Sequence, residues 1–162
     1  MARTNKPKVF KMPDPASAND PALLRIDGAI ATITLNRPAA FNAIDLTIAK
    51  KLEQLSAEVE TNTDVRVLVI EGEGRAFCAG GDLQTIGAAA ETNNVTPVVS
   101  EMLRHYHAFI ETVRRMPKIV LSSVHGSAAG AGRYTGSFTF TIVSARSQSA
   151  SGPSTSSAPA AR

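Results

Sequence analysis

Cysteine and tryptophan are almost absent from this chain. Its 162 residues include one cysteine, Cys78, and no tryptophan, and aromatic residues make up only 5%. A single cysteine excludes an internal disulfide and a cysteine-rich zinc site. So few aromatic side chains also argue against a surface that stacks nucleic-acid bases. The sequence therefore fits neither a disulfide-stapled secreted scaffold nor an RNA-binding module.

Long apolar runs are missing as well. No stretch approaches the roughly 18 apolar residues that a membrane-spanning helix needs. The basic, proline-containing start, MARTNKPKVFKMPDP, lacks the apolar stretch of a secretory signal. With 43% hydrophobic and 19% charged residues, the composition is that of one ordinary globular domain. We therefore expect a cytoplasmic protein.

Acidic residues are absent from the C-terminal third. All 14 acids lie at or before Glu111, together with 11 of the 17 basic residues. The cations after Glu111 are mostly isolated, so they do not form the dense basic stripe that binds nucleic acid. The charge pattern predicts no nucleic-acid partner and no membrane partner.

The first half of the chain predicts a hairpin and then a helix. Runs with β-branched character flank Asp27-Gly28, which suits a two-residue turn of type I′ between strands over about 22–35. Asp45 is placed to cap a helix, because apolar residues recur after it at spacings of three and four. We expect these residues to share one buried face: Ile48, Leu52, Leu55 and Val59.

Two short apolar runs predict parallel strands. The segments VRVLVI at 65–70 and KIVLSSV near 118–124 are nearly continuous, as expected of strands covered on both faces. A helix near 82–90 and another over about 97–116, which stops at Pro117, lie between them. This alternation predicts an α/β fold with its ligand site at the carboxyl ends of the strands.

Both ends of the chain differ from this pattern. Residues 1–20 are polar and proline-containing, and we predict a mobile arm there. A strand is possible near 138–143, whereas 144–162 contain so many small and polar residues that we expect disorder. The predicted organisation is an arm at 1–20, a domain at 21–132 and an aberrant, largely disordered tail at 133–162.

Several familiar motifs are too incomplete to assign. Gly72-Glu73-Gly74 lacks the third glycine of a dinucleotide fingerprint. His105 and His107 are two residues apart on a predicted helix, so they face different sides and do not form a metal pair. Cys78 is interpreted as a small buried side chain, and His125 as a partner in a structural hydrogen bond. We therefore predict no metal site.

Two turns of small residues remain as the candidate site. They are FCAGGD at 77–82 and GSAAGAG at 126–132, and each follows a predicted strand. Small residues let two backbone segments approach one ligand, and N–H groups there can stabilise an oxyanion, as thioester chemistry requires. Tight structural turns explain the same composition. The residues alone leave both interpretations open.

Three strings favour the chemical interpretation. The segments ITLNRPAAFNAID, VRVLVIEGEGRAFCAGGDL and MPKIVLSSVHGSAAGAG, in this order, make the chain resemble the N-terminal half of the enoyl-CoA hydratase/isomerase (crotonase) family over about residues 22–132. The resemblance implies an α/β fold built as a spiral of ββα units. It also implies acyl-CoA thioester substrates, assembly as trimers or pairs of trimers, and no cofactor beyond the CoA that the substrate carries.

The resemblance also implies residue roles. The oxyanion hole would use the backbone N–H groups of Gly81 and Ala131 to polarise the thioester carbonyl and stabilise an enolate. Asp82, directly after the first donor, is interpreted as the cap of the next helix. Four residues match the family segments that contact CoA: Ala39, Ala40, Phe41 and Ala79.

The chain departs from the family at its catalytic carboxylates. The family's first catalytic Glu follows the second turn by two residues, where this chain has Tyr134 after Arg133. A phenol titrates too far above neutral pH to replace a carboxylate base. No acid follows Glu111, so no second carboxylate is available. The segment RYTGSFTFT is expected to replace the helix that begins at the second turn, and the trimerisation helices are expected to be absent.

Two classes of function are consistent with these departures. The first is an impaired enzyme of the enoyl-CoA hydratase/isomerase type. The second is a non-catalytic acyl-CoA-binding remnant, or a fragment that associates with intact paralogues. The change of composition after about Gly132 further predicts a truncated or frame-shifted form of a longer family gene.

Overall fold

Five strands and three α-helices, with one short 3-10 helix at Pro38–Ala40, follow one another along the part of the chain that the structure describes. The structure is a computed structural model, and it describes residues 19–132 together with the backbone of strand 140–143. The elements are β1 (Ala22–Asp27), β2 (Ile30–Leu35), α1 (Leu46–Thr61), β3 (Val67–Gly72), α2 (Leu83–Glu91), α3 (Val95–Arg115), β4 (Ile119–Val124) and β5 (Phe140–Val143). Within these residues, no helix has the length and apolarity to cross a membrane. The predicted arm, except for its last two residues, and most of the predicted tail lie outside the described residues.

The strands form one sheet in the order β1-β2-β3-β4-β5. β1 pairs with β2 in antiparallel orientation, whereas every later pairing is parallel. The strand predicted near 138–143 is therefore present as β5. Because β2, β3 and β4 are parallel, their carboxyl ends lie at the same edge of the sheet. The segments that follow them meet at that edge, as in other open α/β sheets.

The predicted hairpin forms, but its turn lies one residue later than expected. Asp27 pairs with Ile30, so the two turn residues are Gly28 and Ala29. Gly28 has a φ of 61°, while Ala29 is not among the residues with positive φ. A positive φ at the first central position alone is the requirement of a type II′ turn, so the prediction of type I′ is wrong.

The predicted helical stripes form the core. Asp45 caps α1, since its carboxylate accepts a hydrogen bond from the Ile48 N–H at 2.9 Å. The apolar residues predicted on one face of α1 are all buried: Ile48, Leu52, Leu55 and Val59. The apolar stripe of α3 is buried as well, together with the residue that follows the helix: Met102, Tyr106, Phe109, Val113 and Met116. α1 and α3 pack against each other and share one core with the sheet.

The expectation that β3 and β4 are covered on both faces is wrong for the described part of the chain. Leu68 and Ile70 of β3 are buried in the core that α1 and α3 share, whereas Val67 is only half-buried. In the same row across the sheet, Ile30 is 47% exposed and Ile119 is 53% exposed. Both long helices therefore cover the same face, and the opposite face carries exposed apolar side chains.

This apolar row predicts self-association. We expect the purified chain to elute as heterogeneous oligomers at micromolar concentration, because contiguous exposed apolar surface favours association. The double variant Ile30→Thr/Ile119→Thr keeps β-branched residues in both strands and should shift the distribution to smaller species. Size-exclusion chromatography with light scattering is the measurement. A single sharp monomer or trimer peak from the unmodified chain would contradict the prediction.

Candidate active site

The first turn of small residues is held in an extended conformation beside the segment that precedes α1. The Ile44 N–H donates to the Gly80 carbonyl at 2.7 Å, and the Asp82 N–H donates to the Ile44 carbonyl at 2.8 Å. In this parallel pairing the residue between the two, Gly81, directs its own N–H away from Ile44. Within residues 19–132, no hydrogen-bond acceptor is found for the Gly81 N–H.

The second turn packs directly against the first. The Cys78 N–H donates to the Ser127 carbonyl at 3.2 Å, and the Ala129 N–H donates to the Cys78 carbonyl at 3.0 Å. A methyl group added at Gly132 would come within 2.5 Å of the same Cys78 carbonyl oxygen. Small residues are therefore required here because two backbone segments touch.

An open cavity of about 540 Å³ lies over the first turn. This volume is within the range of small-molecule sites. Gly81 contributes to its lining, as do all four residues predicted to contact CoA: Ala39, Ala40, Phe41 and Ala79. Ala131 is not part of the lining, but its neighbour Gly130 is. The fold thus gathers five of the six predicted site residues around one cavity, and their roles stay predictions.

Arg37 connects the two helix caps and contacts two residues of the cavity lining, Ala43 and Asp82. Its Nη1 lies 3.0 Å from Asp45 Oδ2, and its Nη2 donates to Asp82 Oδ2 at 2.9 Å. Nη1 also donates to the Ala43 carbonyl at 2.6 Å. One guanidinium therefore joins the start of α1, the start of α2 and the chain between them. The sequence analysis gave Arg37 no role of its own.

The family assignment comes from the sequence match. Residues 30–153 match the pattern of the enoyl-CoA hydratase/isomerase family. This chain belongs to that family. The match includes β5 and continues beyond Gly132, where the sequence analysis ended the resemblance.

Curated relatives of the enoyl-CoA hydratase/isomerase family are longer than this chain. A probable enoyl-CoA hydratase of Mycobacterium tuberculosis is 35% identical over 113 residues, which are 70% of this chain and 42% of the relative. The 1,2-epoxyphenylacetyl-CoA isomerase of Escherichia coli is 32% identical over 110 residues, which are 68% of this chain and 42% of the relative. The chain therefore spans less than half the length of these two relatives.

Solved structures carry the same fold. A Polaromonas enoyl-CoA hydratase superposes with a TM-score of 0.67 at 31% identity, covering 74% of this chain and 46% of its own. An enoyl-CoA hydratase/isomerase from Mycobacterium paratuberculosis gives 0.58 at 30% identity, covering 67% of this chain and 43% of its own. The predicted crotonase-like α/β fold is confirmed.

The described part of the second turn ends in helical backbone. Ala131 and Gly132 are helical, and the segment RYTGSFTFT, which is expected to replace the rest of that helix, begins at Arg133 and lies mostly outside the described residues. The Tyr106 hydroxyl of α3 donates to the Ala131 carbonyl at 2.6 Å, and the turn also packs on Cys78. Contacts from earlier parts of the chain therefore hold this backbone.

Asp82 caps α2, as predicted. Its Oδ1 accepts hydrogen bonds from the N–H groups of Gln84 at 3.0 Å and Thr85 at 3.2 Å. Burial alone would raise the pKa of this carboxyl, but these two N–H groups and the Arg37 guanidinium outweigh burial and hold it below its usual value. The cap is therefore a carboxylate at neutral pH.

Removal of the Asp82 charge should destabilise the chain in a pH-dependent way. Because its pKa is lower in the folded state, the charge stabilises fully above the ordinary carboxyl pKa and loses this effect as pH falls through the lower folded value. We expect Asp82→Ala to cost about 1 kcal/mol at pH 7 and Asp82→Asn to cost less, since Asn is also a good cap. Urea unfolding of both variants at several pH values is the measurement. A wild-type advantage over Asp82→Asn that grows in acid would contradict this account.

Asn42 is a buried hub that sequence reasoning missed. Its side chain is fully buried and its φ is 55°. Nδ2 donates to the carbonyls of Glu73 at 2.9 Å and Ala76 at 2.8 Å, while Oδ1 accepts from the Arg37 N–H at 2.8 Å. The tolerance of Asn for positive φ was the only local signal. Through Asn42, the segment before α1 is fastened to the segment before the first turn.

Arg75 is a third residue without a predicted role. Its guanidinium carbon lies 5.1 Å from the centroid of the Phe41 ring, within the range of a cation–π interaction. Phe41 is 43% exposed and lines the cavity. Arg75 therefore puts a positive charge beside one wall of the cavity.

The interpretations of Cys78 and His125 are confirmed. Cys78 is fully buried, and burial raises the pKa of its thiol. His125 Nε2 makes a hydrogen bond of 2.9 Å to the Gly74 carbonyl. His105 pairs with Glu53 across the two long helices, away from the cavity lining. Among the residues that the structure describes, no cluster of three potential metal ligands occurs.

Proposed function

We propose that this chain binds acyl-CoA thioesters in the cavity over the first turn and polarises the thioester carbonyl there. The N–H groups of Gly81 and Ala131 are the two donors, and Ala39, Ala40, Phe41 and Ala79 contact the CoA portion. The chemistry is that of enoyl-CoA hydratases and isomerases, in which the carbonyl oxygen gains negative charge as an enolate forms. The proposal includes a cytoplasmic location and no cofactor beyond the CoA of the substrate.

The orientation of the Gly81 N–H carries this proposal. The pairing of Ile44 with Gly80 and Asp82 turns this N–H away from Ile44, and Gly81 lines the cavity. A donor fixed in this way needs no rearrangement when an oxyanion develops, which is the condition for strong electrostatic stabilisation.

Charge and shape around the cavity support the same ligand class. The cavity wall at 39–41 and 79 is formed by small residues and one aromatic ring, and Arg75 lies over that ring. A positive charge beside an apolar wall suits a ligand with both phosphates and an apolar tail. The two family relatives described above are named as a probable enoyl-CoA hydratase and a 1,2-epoxyphenylacetyl-CoA isomerase.

A second candidate is a non-catalytic acyl-CoA-binding protein, or a partner of intact family members. Tyr134, at the position of the family's catalytic Glu, favours this candidate, because carbonyl polarisation without a base does not move a proton. The enzyme and the acyl-CoA-binding protein share the binding step and differ only in turnover, whereas a partner of intact family members is defined by association with them. The family's trimeric assembly would supply the intact partners.

Ligand pairs test the binding step without changing the protein. We expect butyryl-CoA to bind more tightly than S-butyl-CoA, a thioether that has the same CoA and chain but no carbonyl to accept the two hydrogen bonds. Isothermal titration calorimetry measures both affinities, with free CoA as the reference for the nucleotide part. Equal affinity for the two ligands would contradict carbonyl recognition, and no binding of either would overturn the proposal as a whole.

A further inference from the structure

We propose that Arg37 is a positioning residue for the oxyanion hole, which fixes the direction of the Gly81 N–H and neutralises the carboxylate beside it. The inference rests on the proposed function of the cavity. It assigns to Arg37 a role in thioester polarisation that goes beyond joining two helix caps.

The geometric part of the argument starts at Asp82, the residue after the proposed donor. The Asp82 backbone is paired with Ile44, and its side chain is held by Arg37 at 2.9 Å. Arg37 also binds the Ala43 carbonyl, next to Ile44. The same guanidinium thus holds both strands of the short pairing that directs the Gly81 N–H.

The electrostatic part concerns the charge of Asp82. This carboxylate is one residue from the proposed donor, and an anion there repels the negative charge that develops on a thioester oxygen. Asp45 places a second carboxylate against the same guanidinium, 3.0 Å from Nη1. Without Arg37, two carboxylates would remain beside the donor with no counterion. Arg37 therefore makes an aspartate cap compatible with an oxyanion hole.

The infrared carbonyl band of a bound thioester measures how strongly the protein polarises the carbonyl, and so tests the role of Arg37. We would bind butyryl-CoA labelled with 13C at the carbonyl and measure its stretching band in wild type, Arg37→Gln, Asp82→Asn and the double variant Arg37→Gln/Asp82→Asn. Hydrogen bonding to the oxygen lowers the stretching frequency, so wild type should shift the band down from its position in water. We expect Arg37→Gln to lose most of this shift.

The double variant separates charge from structure. Asn keeps the α2 cap but removes the negative charge, so we expect Arg37→Gln/Asp82→Asn to recover part of the shift that Arg37→Gln loses. A purely structural role for Arg37 predicts no such recovery. Arg37→Lys keeps the positive charge but lacks the planar guanidinium that binds two acceptors at once. We expect its carbonyl band shift to lie between those of wild type and Arg37→Gln. It also serves as the second variant if Arg37→Gln fails to fold by circular dichroism.

The matched control is Arg115→Gln. Arg115 pairs with Glu60 at 2.9 Å on the surface of the helix pair, and neither residue lines the cavity. We expect the carbonyl band of butyryl-CoA bound to Arg115→Gln to match the band of the ligand bound to wild type. A wild-type band in bound Arg37→Gln or Arg37→Lys, or a double variant no better than Arg37→Gln, would overturn the inference while the proposed function stands. Failure of wild type to bind butyryl-CoA would instead overturn the proposed function and the inference with it.

Discussion

Replacement of Gly126 by alanine is expected to destabilise the folded chain by about 3 kcal/mol or more. Gly126 has a φ of 60°, and a methyl group there would lie 2.1 Å from the Arg75 carbonyl oxygen. That oxygen belongs to the backbone, so no side-chain rotation relieves the clash. The Phe77 N–H donates to the His125 carbonyl at 2.9 Å, which ties this turn to the segment that enters the first turn. The damage should therefore reach the candidate site.

Gly87→Ala is the matched control for this experiment. Gly87 lies within α2, and a methyl group added there has no atom within 4 Å. Alanine in a helix is favoured over glycine by about 1 kcal/mol, so this variant should be as stable as wild type or more stable. Urea unfolding of the three proteins at pH 7 gives the free energies. If Gly126→Ala lies within about 1 kcal/mol of wild type, the turn is less constrained than its geometry indicates.

The purified chain of 162 residues is expected to turn over enoyl-CoA substrates only at trace rates. A positioned acid or base contributes about 10²- to 10⁴-fold to a proton-transfer reaction. The resemblance to the family implies that Tyr134 stands at the position of the first catalytic Glu, and the 162 residues include no acid after Glu111. Carbonyl polarisation would remain, but neither of the family's two catalytic carboxylates would be there to accept or return the C2 proton. The assay is the hydration of crotonyl-CoA followed by loss of the conjugated thioester absorbance.

Contaminating host hydratase is the main source of error in this assay. The chain should be expressed in a host that lacks the enzyme, beside an intact family member as the positive control. Tyr134→Glu restores the carboxylate at its family position and should raise the trace rate. Steady-state turnover of about 1 per second or more by the unmodified chain would be typical of an enzyme, and it would reject the idea of impairment.

The helices and caps were predictable because their determinants are local. Apolar residues spaced three and four apart in α1 and α3 correspond to the buried stripes, and Asp45 and Asp82 each precede the helix that they cap. Such patterns need only a few neighbouring residues to be recognised. The composition also predicted the two turns of small residues. The resemblance to the family predicted that these turns lie close together.

The contacts of Arg37 and Asn42 were not predictable by the same means. Arg37 reaches Asp82 across 45 positions, and Asn42 reaches the Ala76 carbonyl across 34. No periodicity links residues so far apart, so only the folded chain reveals these contacts. The exposure of Ile30 and Ile119 on the sheet has a similar cause, since a run of apolar residues does not tell on which face the helices pack.

The end of the family-like sequence lies later than the composition indicated. The family match continues to residue 153, and β5 pairs in parallel register with β4. Phe140–Val143 therefore continues the sheet. The hypothesis of a truncated or altered reading frame after about Gly132 stays a prediction.

The only thiol of the chain, that of Cys78, lies where the two turns of small residues contact each other, a contact called the seam below. Both backbone groups of Cys78 are bonded to the second turn, and its side chain is fully buried. A thiol-reactive reagent therefore reaches Sγ only in the moments when this seam is open. Because no other cysteine competes for the reagent, the labelling rate equals the opening equilibrium multiplied by the intrinsic reactivity of the thiol. The labelling rate of Cys78 therefore measures local opening at the candidate site, and a bound ligand that keeps the seam closed would lower this rate.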